Sequence, residues 1–317
     1  MKPLVSIIVP MYNSERYVVR CVESLLKLQL PKEIIVVDDG STDNSCEKLL
    51  NYAVSGEIRL LRQDNRGVSE ARNLGLDNCT SSVITFVDSD DFVLTDNFQS
   101  FYNKFVISDS EMAMGSVKIE FTDSHTEIRQ AHCGMIGKQW KGDDSFARLM
   151  RTCTFTPLVF CYLFKKSFID RMQLRFHHKM SEDDLWTSIA MCEARQVLVT
   201  GELHYVYRKN ADSITASNVA TIFRADNHLA VANDLYNYLC THQLCRDAQV
   251  WLCCKILYVA SIAVKIYIDS GHYAFHLNLD MYKDLFSRVL RSPDEYAKKV
   301  GLMFGKRIIE AIKTVVV

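Results

Sequence analysis

Acidic residues gather where short apolar runs end. Asp38 and Asp39 follow Ile34-Ile35-Val36-Val37, and Asp88, Asp90 and Asp91 follow Val83-Ile84-Thr85-Phe86-Val87. A third group, Glu182, Asp183 and Asp184, precedes Leu185-Trp186. A single Asp after a strand is more often a turn former or a helix cap than a ligand. Asp88-Ser89-Asp90-Asp91 directly after a β-branched run is harder to assign to turn formation alone. Carboxylates facing one crevice repel one another unless a cation joins them, and oxygen-only ligands select Mg2+ or Mn2+. A hard cation with few protein ligands completes its shell with substrate phosphates, which points to a nucleoside diphosphate.

The elements that must carry these acids are legible from hydrophobic pattern. Leu4 to Val9, Glu33 to Val37, Ile58 to Leu61 and Val83 to Val87 read as buried strands. Between them Ser14 to Leu28 (capped by Asn13), Ser45 to Ala53 and Ser69 to Asn78 read as helices. Apolar strands separated by helices predict an α/β fold with a mostly parallel sheet covered on both faces. In such a sheet, ligands bind beyond the carboxyl ends of the strands, where the acids lie. Phe98 to Ser108 and Leu185 to Glu193 read as helices, Met112 to Phe121 and Val197 to Val206 as strands, and Asp123 to Lys141 as a loop or hairpin. From about Ala220 the pattern is helical to the end.

Composition narrows the function classes. With 48% hydrophobic and 24% charged residues, the 317-residue chain is an ordinary globular protein of about two domains. A net charge of -1 argues against a nucleic-acid partner. The run Leu4 to Val9 is too short for a signal-peptide core. Lys255 and Lys265 interrupt the apolar stretch Val250 to Ile268, which reads as a buried helix. Eleven scattered cysteines without a Cys-x-x-Cys pair fit reduced thiols in a cytoplasmic enzyme, with Cys21 and Cys192 as small core residues. His132, His177 and His178 have no metal-ligating spacing with them, and His177-His178 reads as a loop.

Four segments then make a recognisable series: Ser6 to Asn13 (SIIVPMYN), Val36 to Asp43 (VVDDGSTD), Gly67 to Gly75 (GVSEARNLG) and Phe86 to Asp91 (FVDSDD). Their order and spacing resemble the family 2 glycosyltransferases of GT-A fold, of the bacterial polysaccharide-biosynthesis type. Ser181 to Trp186 (SEDDLW) resembles the family's Glu-Asp-x-x-aromatic segment. Tyr205-Val206-Tyr207-Arg208, with Asp212 to Thr215, resembles the end of its catalytic domain. The likeness spans about residues 3 to 218. It implies a GT-A nucleotide-sugar-binding catalytic domain over 1–220, with a helical C-terminal region over 221–317.

The resemblance implies a metal-dependent transferase that inverts the anomeric carbon. The donor would be a nucleotide-sugar, expected to be UDP-linked, and the acceptor a hydroxyl of a glycan or lipid-linked saccharide in surface polysaccharide synthesis. Pro10 and Tyr12 would lie along the base, with Asp39 accepting from its imide N–H and Asp38 holding the turn or the ribose. Arg72 and Asn73 would line the donor pocket. Asp88 and Ser89 would contact the donor, with Asp90 and Asp88 at the Mn2+ or Mg2+. Asp183 would be the general base, because an acceptor hydroxyl titrates far above pH 7 and needs a nearby carboxylate; Glu182 would assist it. The same three acids also suit the N-terminus of a helix. Arg208 with Ser213-Ile214-Thr215 could reach the diphosphate, while Asp91 and Asp184 stay unassigned.

Other classes fit less well. A receiver-like signalling domain would have its acidic pair after the first strand, whereas here a strand and helix precede Asp38-Asp39. A dinucleotide-binding oxidoreductase would need glycines between Pro10 and Ser14, and there are none. A non-catalytic nucleotide-sugar-binding subunit would have no use for Glu182-Asp183. From Met281 onward, eight Lys or Arg face four Asp or Glu. Lys299, Lys306, Arg307 and Lys313 alternate there with Val300, Phe304, Ile308 and Ile312. Such a helix suits either packing on the catalytic domain or peripheral contact with the inner face of the cytoplasmic membrane.

Overall fold

The computed structural model describes residues 3–209, 221–272 and 277–316, with the side chains of residues 221 and 311–316 left aside. β1 (Val5–Met11) is buried along its whole length, as its uninterrupted apolar sequence requires. It pairs in parallel with β2 (Lys32–Asp38) on one side and β4 (Val83–Phe86) on the other. β2 in turn pairs in parallel with β3 (Arg59–Arg62). Helices α1 (Val18–Leu26), α2 (Ser45–Val54) and α3 (Val68–Asn78) alternate with these strands. The chain builds outward from β1 to β3, then returns to the other side of β1 as β4. That reversal opens a crevice at the carboxyl ends of β1 and β4.

Pro10 shows where the crevice begins. Ile8 O accepts from Val87 N, so even-numbered positions of β1 address β4. Pairing with β4 ends at Ile8 opposite Phe86. Pro10 lies beyond it, so its missing N–H costs no ladder bond. Close packing sets α3 against the same strand: a Cβ at Gly75 would stand 2.3 Å from Ile8 Cγ2. Only glycine allows this approach, which brings Arg72, one turn earlier, toward the strand ends.

Past β4 the expected parallel run gives way to a mixed sheet. β9 (Tyr162–Lys165) inserts antiparallel between β4 and β6 (Met112–Glu120). β10 (Val197–Arg208) then pairs in parallel with β6 and antiparallel with β5 (Phe92–Val93), giving the order β3-β2-β1-β4-β9-β6-β10-β5. The segment 123–141 contains β7 (Thr126–Arg129), a hairpin partner of β6, and β8 (Lys138–Trp140), which pairs with β10. α4 (Thr95–Ile107) packs on β10. Sequence pattern missed β9, α5 (Gly142–Arg151) and α6 (Lys166–Met172). A four-residue strand covered on both sides carries no periodicity to detect.

α7 (Glu182–Glu193) bears the third acidic group, and α8 (Thr221–Thr241), α9 (Arg246–Asp269), α10 (Leu279–Leu290) and α11 (Glu295–Val316) follow. α9 is long and apolar enough to span a membrane by length and composition, but most of it is buried inside the protein. It packs on α5, α8, α10 and α11. One apolar core runs without a break from β1 through α7 into α8, α9, α10 and α11. The expected boundary near residue 220 falls in a segment outside the described residues. Cys21 and Cys192 are buried in this core, and all eleven thiols are free.

Candidate active site

The strand ends are laced together by short polar side chains. Asn13 adopts a left-handed backbone (φ 48°) and does not cap α1, contrary to expectation. Its N–H donates to Ser41 Oγ at 3.0 Å and its Oδ1 accepts from Thr42 N at 2.9 Å, tying the β1 loop to the β2 loop. Asp38 is fully buried; Oδ1 accepts from Ser41 N at 2.9 Å and Oδ2 faces Arg62 Nε at 3.3 Å. Asp39 gathers the loop before α3: Oδ1 accepts from Gln63 Nε2 and Arg66 N, and Oδ2 from Gly67 N at 2.8 Å. Ser14 Oγ and Ser89 Oγ, 2.7 Å apart, join the β1 loop to the Asp88–Asp91 turn. Beside them the Tyr12 ring stands 42% exposed, and Pro10 is buried at the end of β1.

Arg72 is the centre of the site. Its guanidinium, 3% exposed, donates from Nη2 to Asp88 Oδ1 at 3.0 Å, and from Nη1 to Asp183 Oδ1 at 3.0 Å and to Glu182 Oε1. One cation therefore brackets the turn after β4 and the first turn of α7, segments far apart in sequence. Burial opposes the Arg72 charge, but Asp183, Asp88 and Glu182 outweigh it and raise its pKa. One positive charge cannot satisfy three carboxylates. Burial raises the pKa of Asp183 well above the ordinary range; Arg72 pulls it back, and Glu182 and Asp88 push it further up. Glu182 is raised for the same first reason, again with Arg72 opposing. Asp183 also accepts from Val159 N at 3.3 Å on Oδ2.

An aromatic cluster holds this arrangement from beneath. Phe176 and Trp186 stack with centroids 4.8 Å apart, and Phe86 meets both edge-on. Arg72 lies over the Phe176 ring, 5.3 Å from its centroid. Asn73, expected in the donor pocket, uses its amide on the Phe176 backbone instead, donating to O at 2.8 Å and accepting from N at 3.0 Å. Arg72, expected near the nucleotide, spends both Nη atoms on carboxylates.

Asp91 is built into the fold. It is fully buried, accepts from Tyr205 Oη at 2.7 Å and from Arg208 N at 2.8 Å, and burial raises its pKa. Tyr205 Oη accepts from Asp88 N at 3.0 Å, so this phenol fixes the acidic turn from β10. Arg208 folds back over the Tyr17 ring and donates from Nε to Asp90 O at 3.0 Å. Ser213, Ile214 and Thr215 lie outside the described residues. His177 is exposed, and His178 pairs with Asp234 of α8 at 2.8 Å. Sequence reasoning gave no role to Tyr205, Phe176 or Lys255. The signal for Lys255 was a cation within the apolar stretch Val250 to Ile268; Tyr205 stood inside a segment that resembles the family's but had no role of its own, and Phe176 carried no signal.

Among the described residues, no three His, Cys, Asp or Glu side chains converge as a metal site. Asp88 and Asp90 lie on one turn, both half-buried, with the Asp88 side chain 28% exposed. That all-oxygen pair suits a hard cation drawing the rest of its shell from a diphosphate.

Comparison with known proteins agrees with this architecture. Residues 6–170 match the family model for glycosyl transferase family 2. The glycosyltransferase EpsJ of Bacillus subtilis, itself uncharacterised, is 31% identical over 265 residues, 77% of each chain. Two streptococcal glycosyltransferases are matched over only 31% and 40% of their own length. The structure of S. aureus TarS 1-349 with UDP-GlcNAc superposes with a TM-score of 0.66 at 18% identity, covering 98% of this chain and 90% of that one. The mannosyltransferase PcManGT of Pyrobaculum calidifontis, solved with GDP-Man and Mn2+, gives 0.55 at 16% identity over 99% and 87%. The chain is a glycosyltransferase of family 2 with the GT-A fold.

Proposed function

We propose that the chain transfers a sugar from a UDP-linked donor to an acceptor hydroxyl with inversion, in the assembly of a bacterial surface glycan. The observation that carries this reading is the single Arg72 guanidinium shared by Asp88, on the donor side, and Asp183, on the acceptor side. Tyr12 and Pro10 flank the base. Asp39 Oδ2 accepts one bond, from Gly67 N, and a carboxylate oxygen has capacity for a second from an imide N–H. Asp88 and Asp90 would hold Mn2+ or Mg2+, which neutralises charge on a leaving diphosphate. Asp183, deprotonated, takes the acceptor proton as the oxygen attacks the anomeric carbon, and the nucleotide leaves from the opposite face. Glu182 shares Arg72 and keeps the guanidinium facing the base. The donor side draws support from relatives solved with UDP-GlcNAc and with GDP-Man and Mn2+.

Melting of the protein with UDP, UDP-glucose, UDP-GlcNAc and GDP-mannose, with and without Mn2+, tests the donor. At a hundredfold excess over Kd, native-state binding adds about 2.7 kcal/mol, or about 5 °C in a chain of this size. We expect that shift with a uridine nucleotide and Mn2+, and its loss in Asp90→Ala. No shift with any of the four would overturn the donor assignment.

The same reading places the chain at the cytoplasmic face of the membrane, where a lipid-linked acceptor would lie. Lys299, Leu302, Lys306 and Ile309 form one outward stripe of α11, with Met303 and Arg307 beside it, all exposed. A basic and apolar stripe suits an anionic lipid surface. Co-sedimentation should occur with vesicles containing phosphatidylglycerol and not with phosphatidylcholine alone. At about 1 kcal/mol per basic residue, Lys299→Ala with Lys306→Ala should weaken it about 30-fold. Equal partitioning onto neutral vesicles would sink this placement.

A further inference from the structure

The turn that carries Asp183 is held from two sides. Asp183 reaches Arg72 on α3. The next residue, Asp184, points elsewhere because successive helical side chains diverge by about 100°. It pairs with Lys255 in the middle of α9. Lys255 is buried, with its side chain 4% exposed, and Asp184 is largely covered, at 15%. The Lys255 ammonium also lies near the Phe155 and Tyr258 rings, at 5.6 and 5.4 Å from their centroids. Burying such a pair costs several kcal/mol in lost hydration per ion, so it contributes little net stability while fixing geometry.

α8 braces the approach to the same turn. Met180 N donates to Asn227 Oδ1 at 3.3 Å, Ser181 Oγ lies 3.4 Å from His228 Nε2, and His178 pairs with Asp234. Ser181 adopts a left-handed backbone (φ 59°), a strained conformation for a non-glycine residue that persists only where its surroundings enforce it. His228 is 5% exposed and burial lowers its pKa to about 4, so it remains neutral beside the ion pair.

We propose that Lys255, acting through Asp184, is a positioning residue that holds Asp183 against the acceptor side of the crevice, making the C-terminal helices part of the catalytic apparatus. The inference rests on Asp183 being the base. Loss of the pair leaves the donor half of the site in place, because Asp38 and Asp39 are held by the loops after β2 and before α3, and the Asp88–Asp91 turn is held by Tyr205 and Arg208 of β10. It frees the first turn of α7 to shift, and misplacement of a reacting group by about 1 Å costs about 100-fold in rate.

The test is steady-state UDP release from the UDP-sugar that gives the largest melting shift, with Kd for UDP and Mn2+ measured in parallel. Lys255→Met should lower kcat by about tenfold or more and leave Kd within about twofold. Lys255→Arg, which keeps the charge, should recover most of the rate. Should Lys255→Met fail to fold because Asp184 is left unpaired, Lys255→Met with Asp184→Asn removes the pair without a lone buried charge, and the same loss of kcat is expected. In an Asp183→Asn background, Lys255→Met should change the residual rate by less than about twofold, since residues acting through one group are not additive. Unchanged kcat in folded Lys255→Met or in the double variant, or an equal loss in both backgrounds, would overturn the inference while leaving the base assignment standing. Near-parental turnover in Asp183→Asn alone would instead remove the base assignment.

Discussion

Asp183→Asn is expected to keep nucleotide binding and lose about 100- to 10,000-fold in kcat, the usual contribution of a positioned general base. The amide is isosteric with the carboxylate and its single oxygen can still accept from Arg72 Nη1, giving up only the longer 3.3 Å bond from Val159 N, so the fold should survive. It cannot take a proton. The pH profile gives a second readout. Burial holds the Asp183 proton to a pH above the ordinary carboxylate range. Because the base works deprotonated, kcat/KM should fall as pH drops through that raised value, and be flat above it. The acid limb should disappear in the residual activity of Asp183→Asn. Near-parental turnover in the variant, or an unchanged acid limb, would show that another group removes the proton.

Arg72→Met is expected to damage both fold and turnover. Without the guanidinium, Asp88, Glu182 and Asp183 face one another with no cation, and two of them are largely buried. Breaking a buried ion pair from one side costs about 3–5 kcal/mol. The lower end is expected because Asp88 is 28% exposed and recovers hydration. The sign with pH is opposite to that of an ordinary stabilising carboxylate. Glu182 and Asp183 already have raised pKa values, and losing Arg72 raises them further. The penalty is present where both are ionised and fades as pH falls through those values. The melting deficit against the parent should therefore shrink as pH falls through those raised values. Arg72→Lys should restore more stability than rate, because an ammonium cannot reproduce the fork that spans Asp88, Glu182 and Asp183. A deficit that grows on acidification would contradict the one-cation, three-carboxylate description.

Much of this molecule is legible in its sequence, and the reason is local. β1, β2 and β4 are continuous apolar runs that have no stable place except a buried sheet, and Pro10 lies where the first has parted from β4. The acids at their ends follow from alternating strand and helix, because that topology sends every strand's carboxyl end to one side. Motif order then identified the family. The mixed half of the sheet was not legible. β9 is four residues long and buried except at Lys165, so neither length nor alternation distinguishes it from a loop.

The sequence by itself determined the fold class, the family and the set of candidate acids, since each is written in residue type and spacing. Only the tertiary structure decided what those acids do to one another. Arg72 and Asn73 are adjacent, yet one gathers carboxylates and the other locks a loop, a division set by the closeness of α3 to β1 at Gly75. Asp183 and Asp184 are likewise adjacent, and helical rotation sends one to Arg72 and the other to Lys255. Ion pairs between residues 71 and 111 positions apart depend on where helices dock. Docking is set by packing of the whole core, which no local pattern encodes.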